Sequence, residues 1–333
     1  MRRKNTTSML LIAATALTAL IPTLPLPAAS LTLAEEVPNE ISMPNMLVPK
    51  WSNGALIVVR DYHTINPTIW VVEHQSPHVV PFTIPGAQSM NIYDWDRGID
   101  GTIGLSGSAV DADGRASGFV AWISSDERTS KVIRTLLYTP WRLAVAPDGT
   151  LWAVGREFTS QGSGVLKPQS DVVRHFDQSG RTLGSFVPQS TNRDAKTLVN
   201  PANRLRATRD RIASYLPAEG RYIEISFAGK VLTDISVPRP GQPDSRTGGL
   251  AITDNDEIFV SAEWQAATAG GTSQFVGIFT LDKSTQAWRI VLQRTATAGA
   301  RPGTEDFGRI LGVDGDRLVL DGPQRLKFYK ISE

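Results

Sequence analysis

The stretch "PWRLAVAPDGTLWAVGRE", residues 140–157, sets one short apolar run before Asp148-Gly149 and a second straight after it. Two β-rich runs separated by a Gly-containing turn read as a hairpin. In "TLWAV" both alternating sets are apolar, Leu151 with Ala153 and Trp152 with Val154. A strand that is apolar on both faces belongs between other sheets. The sheet carrying it is therefore expected to have sheet neighbours on both sides.

The same unit recurs along the chain as "NGALIVV" at Asn53, "DGTIGLSG" at Asp100, "RDRIASYL" at Arg209, "DNDEIFVSA" at Asp254 and "DGDRLVLDG" at Asp314. With Gly54, Gly101, Gly149, Arg211, Asp256 and Asp316 taken as equivalent, the spacings are 47, 48, 62, 45 and 60 residues. Further strand candidates follow most hairpins, such as "DVVRHFD" and "TLGSFVP", or "RYIEISF" and "VLTDISV". Four strands per unit at this period is the β-propeller pattern. The predicted fold is all-β, a six-bladed β-propeller over residues 35–333. After Asp316 only 17 residues remain, too few for an outermost strand. The missing strand is expected from the N-terminal side, around "LTLAEEVPNEIS", which would close the ring and protect its edges.

"RLAVAPDGTLWAVG" resembles the repeat of six-bladed propellers of the TolB-like and NHL-repeat type, with the SMP-30/gluconolactonase-like lactonases at a distance. That resemblance implies binding at one face of the ring and, in some members, metal-dependent hydrolysis. The lactonase-like members hold one metal with a Glu, Asn and Asp set in the channel. Asp94 is a candidate for part of that set, and no Glu on an early strand matches. A fold of this kind hosts many activities.

Residues 1–34 read as a signal peptide. Arg2, Arg3 and Lys4 form the basic n-region, "MLLIAATALTALI" from Met9 to Ile21 the apolar run, and "PTLPLPAAS" leads to small residues. The run is about a dozen residues, short of the roughly 20 that span a bilayer. Cleavage is expected after Ser30 or after Ala34, and no membrane span is expected in the mature chain. The chain holds no Cys, so packing alone must stabilise it, which suits a secreted or periplasmic bacterial protein. With 34 basic and 33 acidic residues there is no field of one sign, so nucleic acid is not expected as a partner. A monomer is expected.

In each repeat the start of the first strand and the end of the second share one rim with the connections between blades. The longest loops, residues 156–170, 188–203, 263–274 and 295–308, all belong to that rim. Loops on a rigid scaffold carry function, so this face is the expected binding face. Seven positions before the repeat anchors stand Leu47, Asp94, Arg142, Arg204, Gly249 and Arg309, at the mouth of the channel. Three Arg in one register suit a carboxylate or phosphate. The ends of the second strands add Arg60, Asp61, Arg156, Glu157, Glu263 and Trp264. The bland alternative is internal ion pairing of these Arg with Asp94, Glu157 and Glu263.

Other constellations are thin. Glu73, His74 and His78 suggest zinc, but the repeat puts them in a turn on the opposite face. "DADG" at 111–114 and "DGD" at 314–316 are turns rather than calcium loops. "GLSGS" at 104–108 departs from the nucleophile-elbow pattern at Ser108. The leading expectation is a propeller binding a small anionic ligand or a protein segment, with no cofactor. The alternative is a metal-dependent hydrolase of lactones or related esters, which alone would need a divalent metal. A purely structural module of an envelope assembly is the third reading.

Overall fold

The computed structural model describes residues 29–38, 49–74, 76–188, 204–217, 219–268, 271–295, 309–322 and 325–332. Residues 1–28, with the expected n-region and apolar run, and Leu47 lie outside them, as do most of the loops 188–203 and 295–308. Among the described residues there is no helix. The first strand is Ser30–Pro38 (β1), so residues 30–34 of the expected leader belong to it.

Six antiparallel four-stranded sheets follow. The first is Lys50–Ser52, Ala55–Arg60, Thr68–Glu73 and Ser76–Pro81 (β2–β5), and the second Ala87–Arg97, Ile103–Asp111, Ala116–Ile123 and Ser130–Leu136 (β6–β9). The third is Tyr138–Val145, Leu151–Glu157, Asp171–Phe176 and Thr182–Pro188 (β10–β13). The fourth is Arg204–Ala207, Arg211–Leu216, Arg221–Ser226 and Val231–Ser236 (β14–β17). The fifth is Arg246–Ile252, Ile258–Thr268, Gly271–Asp282 and Ala287–Thr295 (β18–β21). The sixth is Ile310–Asp314, Arg317–Gly322 and Arg325–Ser332 (β22–β24), with β1 as its fourth strand. The pairing of β1 with β24 runs from Ser30 opposite Ser332 to Pro38 opposite Arg325.

Every repeat anchor found in the sequence lies at or beside the turn between the first and second strands of a sheet. In residues 140–157 the turn is held by Gly149 N–H to Ala146 O (2.9 Å) and Ala146 N–H to Thr150 O (2.9 Å). Gly149 sits at φ 78°, where side chains are disfavoured, and Asp148 Oδ1 accepts from Thr150 N–H at 3.0 Å. In the fifth sheet, which lacks that glycine, Asp256 takes the left-handed position at φ 67°.

First strands of neighbouring sheets touch in order, β2 to β6, β10, β14, β18 and β22, and β22 touches β2. Separate apolar clusters fill the spaces between neighbouring sheets. That between sixth and first contains Leu56, Val58, Leu311, Val319 and Phe328. Trp152 and Val154 face the fourth sheet, while Leu151 and Ala153 face the second. The strand apolar on both faces is thus sandwiched as its pattern requires. The arrangement is that of a β-propeller.

One expectation is corrected. Residues 263–268 and 271–274 are strand rather than loop: β19 and β20 stay paired out to Thr268 opposite Gly271. A ladder satisfies backbone groups that a loop would leave to solvent.

Candidate functional site

The first strands present charged side chains to one another, and the second and third sheets show why. Innermost strands have unpaired backbone donors, which need acceptors when buried. On β6, Asp94 Oδ2 accepts from Leu143 N–H (2.9 Å), and Asp96 Oδ2 from Val145 N–H (3.0 Å). Two carboxylates one pleat apart thereby fasten the first strand of the third sheet to that of the second.

Their other oxygens meet cations and a hydroxyl. Lys50 Nζ stands 2.7 Å from Asp94 Oδ1 and donates to Trp95 O at 2.7 Å. Ser52 Oγ donates to Asp96 Oδ1 at 2.8 Å. Arg206 bridges to the far side, with Nε donating to Leu250 O and Nη2 to Leu311 O, both at 2.8 Å. Its Nη1 lies 3.9 Å from Asp96 Oδ1. Burial pushes the Asp94 carboxyl up, but Lys50 and Arg142 outweigh it and hold it below the ordinary value. Burial lowers the Lys50 ammonium and the Arg142 guanidinium, and Asp94 opposes this in both.

Of the residues singled out in the sequence, the structure brings Asp94 and Arg142 together. Arg142 Nη1 also donates to Trp141 O (2.7 Å) and Tyr93 O (3.2 Å). Beside it Tyr93 and Trp141 stack at 4.5 Å, and Trp141 Nε1 is buried with no hydrogen-bond partner. Arg309 stands apart, next to Asp321, whose N–H donates to its carbonyl at 2.9 Å. Burial raises the Asp321 carboxyl to about 6, against the pull of Arg309. Arg204 pairs through its backbone with Tyr215; its side chain lies outside the described residues.

The second-strand ends are mostly engaged in packing. Arg60 lies 3.8 Å from Asp61. Arg156 is 5% exposed, and burial lowers it to about 10 with Glu219 opposing. Glu157 pairs with Arg174 (2.7 Å) and Lys167 (3.0 Å), not with its neighbour Arg156. Glu263 lies opposite Arg246 in the ladder. Trp264 is packed on Phe275 and Phe279 rather than displayed on a rim. His78 Nε2 meets Glu127 Oε1 at 2.8 Å, and His74 is in the turn before β5.

The register reading missed Lys50, Asp96 and Arg206. Asp96 and Arg206 stand five positions before their anchors Gly101 and Arg211. Side chains two apart on a strand share a face, so this position was open to discovery by the same rule. A funnel of about 320 Å³ opens beside Asp96 and Arg206, at the end of the channel bearing the first turns of the sheets. Ser52, Asp96, Arg97, Arg206, Asp254 and Asp314 are among its walls.

A metal centre of the lactonase kind does not fit the described residues. Both Asp94 oxygens already hold donors, one of them the Lys50 ammonium, which occupies the place a cation would take. Among the described residues, no three His, Asp or Glu side chains gather as a metal site.

No protein-family model matches the chain, and no curated protein matches it. Among solved structures it is similar to a member of the duf4221 family from Bacteroides vulgatus, with TM-score 0.50 and 9% identity over 91% of this chain and 98% of that one. The streptogramin B lyase structure has TM-score 0.46 and 11% identity over 91% and 98% of the two chains. A putative gluconolactonase has TM-score 0.46 and 12% identity over 92% and 93%. At these identities the likeness concerns the fold alone.

Proposed function

We propose that this chain is an exported six-bladed β-propeller, closed by its N-terminal strand, that binds a small anionic ligand or a protein segment at the long-loop end of its channel. The pairing of β1 with β24 and the apolar cluster joining sixth sheet to first support the closed ring. Export rests on the basic and apolar pattern of the leader. Cleavage after Ser30 removes a single residue of β1, whereas cleavage after Ala34 would strip Leu31 and Leu33 from their partners Ile331 and Tyr329. The former is the position this reading favours.

The binding reading is carried by Trp141. Its indole N–H is buried without an acceptor among the described residues, on the same strand as Arg142, and its ring stacks on Tyr93. A buried donor without a partner costs free energy, and the nearby Arg142 guanidinium, which donates to the Trp141 carbonyl, favours an anion as the acceptor. Thermal-shift screening against anionic metabolites tests this. An anion should raise the Tm of the wild type and leave that of Arg142→Ala unmoved. If no anion raises the wild-type Tm and Arg142→Ala unfolds readily, Arg142 is a structural ion-pair member and the proposal falls.

A further inference from the structure

The geometry points to a second binding site, at the opposite end of the channel, for a small zwitterion of the amino-acid or dipeptide class. It does not depend on the site beside Arg142. The funnel's volume of about 320 Å³ is within the range of small-molecule sites. Its floor carries Arg206, a guanidinium that the fold has oriented in advance. Nε and Nη2 are held by carbonyls of the fifth and sixth sheets, at Leu250 and Leu311. Among the described residues, the remaining Nη1 has Asp96 Oδ1 at 3.9 Å, beyond hydrogen-bond reach.

Asp96 is not positioned to take that edge. Its Oδ1 accepts from Ser52 Oγ at 2.8 Å and its Oδ2 from Val145 N–H at 3.0 Å. A fixed guanidinium with an edge to spare is suited to a carboxylate. Charge on the walls decides what else the ligand carries. Arg97, Arg206 and Arg209 are matched by Asp96, Asp254 and Asp314, so a polyanion gains nothing from the walls as a whole. A ligand bearing both signs does gain, with its carboxylate on Arg206 and its ammonium toward Asp254, since Asp314 is held by Arg317. Asp254 is 63% exposed and its partner Arg209 82%, so that ion pair yields easily to a ligand.

Calorimetric titration of the purified protein with dialanine, acetate, ethylammonium and inorganic phosphate tests the assignment. Dialanine should bind saturably, acetate and ethylammonium at least tenfold more weakly, and phosphate not measurably. Arg206→Lys keeps the charge but loses the planar fork, and should weaken dialanine about tenfold. Asp254→Lys alters an exposed pair that contributes little to folding, and should weaken dialanine while sparing acetate. Arg142→Ala should leave dialanine binding unchanged, which separates this site from the one at the other end. No saturable dialanine binding, phosphate binding more tightly than dialanine, or a dialanine affinity untouched by Asp254→Lys would each overturn the assignment.

Discussion

The space between the third and fourth sheets and the channel between the first strands are both buried, and on opposite terms. In the first, Trp152 is 0% exposed and stacks on His175 at 4.0 Å and Phe186 at 5.5 Å, among Val154, Leu205 and Ile212. Stability there comes from apolar area removed from water and from close packing. In the channel, Asp94 at 4% exposure and Asp96 at 5% are held by Lys50, Ser52 and backbone N–H groups. Buried charges contribute only while their partners stay in place, and the desolvation cost can match the attraction. The difference teaches that the sheets carry the fold, while the channel is specific and easily upset.

The largest effect is expected in the sheet interior. Trp152→Ala should destabilise the protein by roughly 3–5 kcal/mol, the range for a large buried aromatic. Denaturant melts measure this, and a loss below 1 kcal/mol would mean the apolar interior does not dominate. In the channel, Lys50→Met leaves Asp94 buried beside fewer charges and should cost about 3 kcal/mol. The double variant Lys50→Met/Asp94→Asn should regain part of that, since an amide oxygen still accepts from Leu143 N–H. If the double variant is no better than the single, the cost is lost packing rather than stranded charge.

A smaller effect sharpens the contrast through pH. Burial raises the Asp321 carboxyl from 3.8 to about 6 in the folded protein. The folded state therefore holds a proton that the unfolded state releases, so this group favours the fold below pH about 4. That contribution is lost as pH rises through about 6. Asp321→Asn should then be more stable than wild type at pH 8, by ~2 kcal/mol, and equal to it at pH 3.5. Equal Tm values at both pH values would show that Arg309 compensates the charge fully.

Much of the fold was legible because hairpins are local. Asp148-Gly149 with apolar runs on either side, and its five relatives, depend on neighbours within a few residues. The side chains of "TLWAV" also told which strand is sandwiched, since alternation along a strand is alternation between faces. Residues 263–274 were misread because small polar residues and glycines look like a loop, while β19 and β20 stay paired from Glu263 to Thr268 and from Gly271 to Gln274. The candidate site was legible only in part. Asp94 and Arg142 were found by register. Lys50 was not, because β2 is only three residues long and its part in the channel depends on reaching Asp94 on another sheet.

By itself the sequence determined the all-β class, the repeating hairpin, the sandwiched strand and the short apolar leader, because each is written in spacing and alternation over a few residues. The sequence also called for a strand from the N-terminal side in the last sheet, but tertiary structure alone decided its register, Ser30 opposite Ser332, and that Arg206 ties the fourth sheet to carbonyls of the fifth and sixth. It also decided that Trp264 is packed rather than displayed, and that the described funnel lies at the turn end. The physical reason is that a charge or ring in a propeller takes its partners from other sheets. Those partners are set by how the sheets meet, which no local pattern encodes.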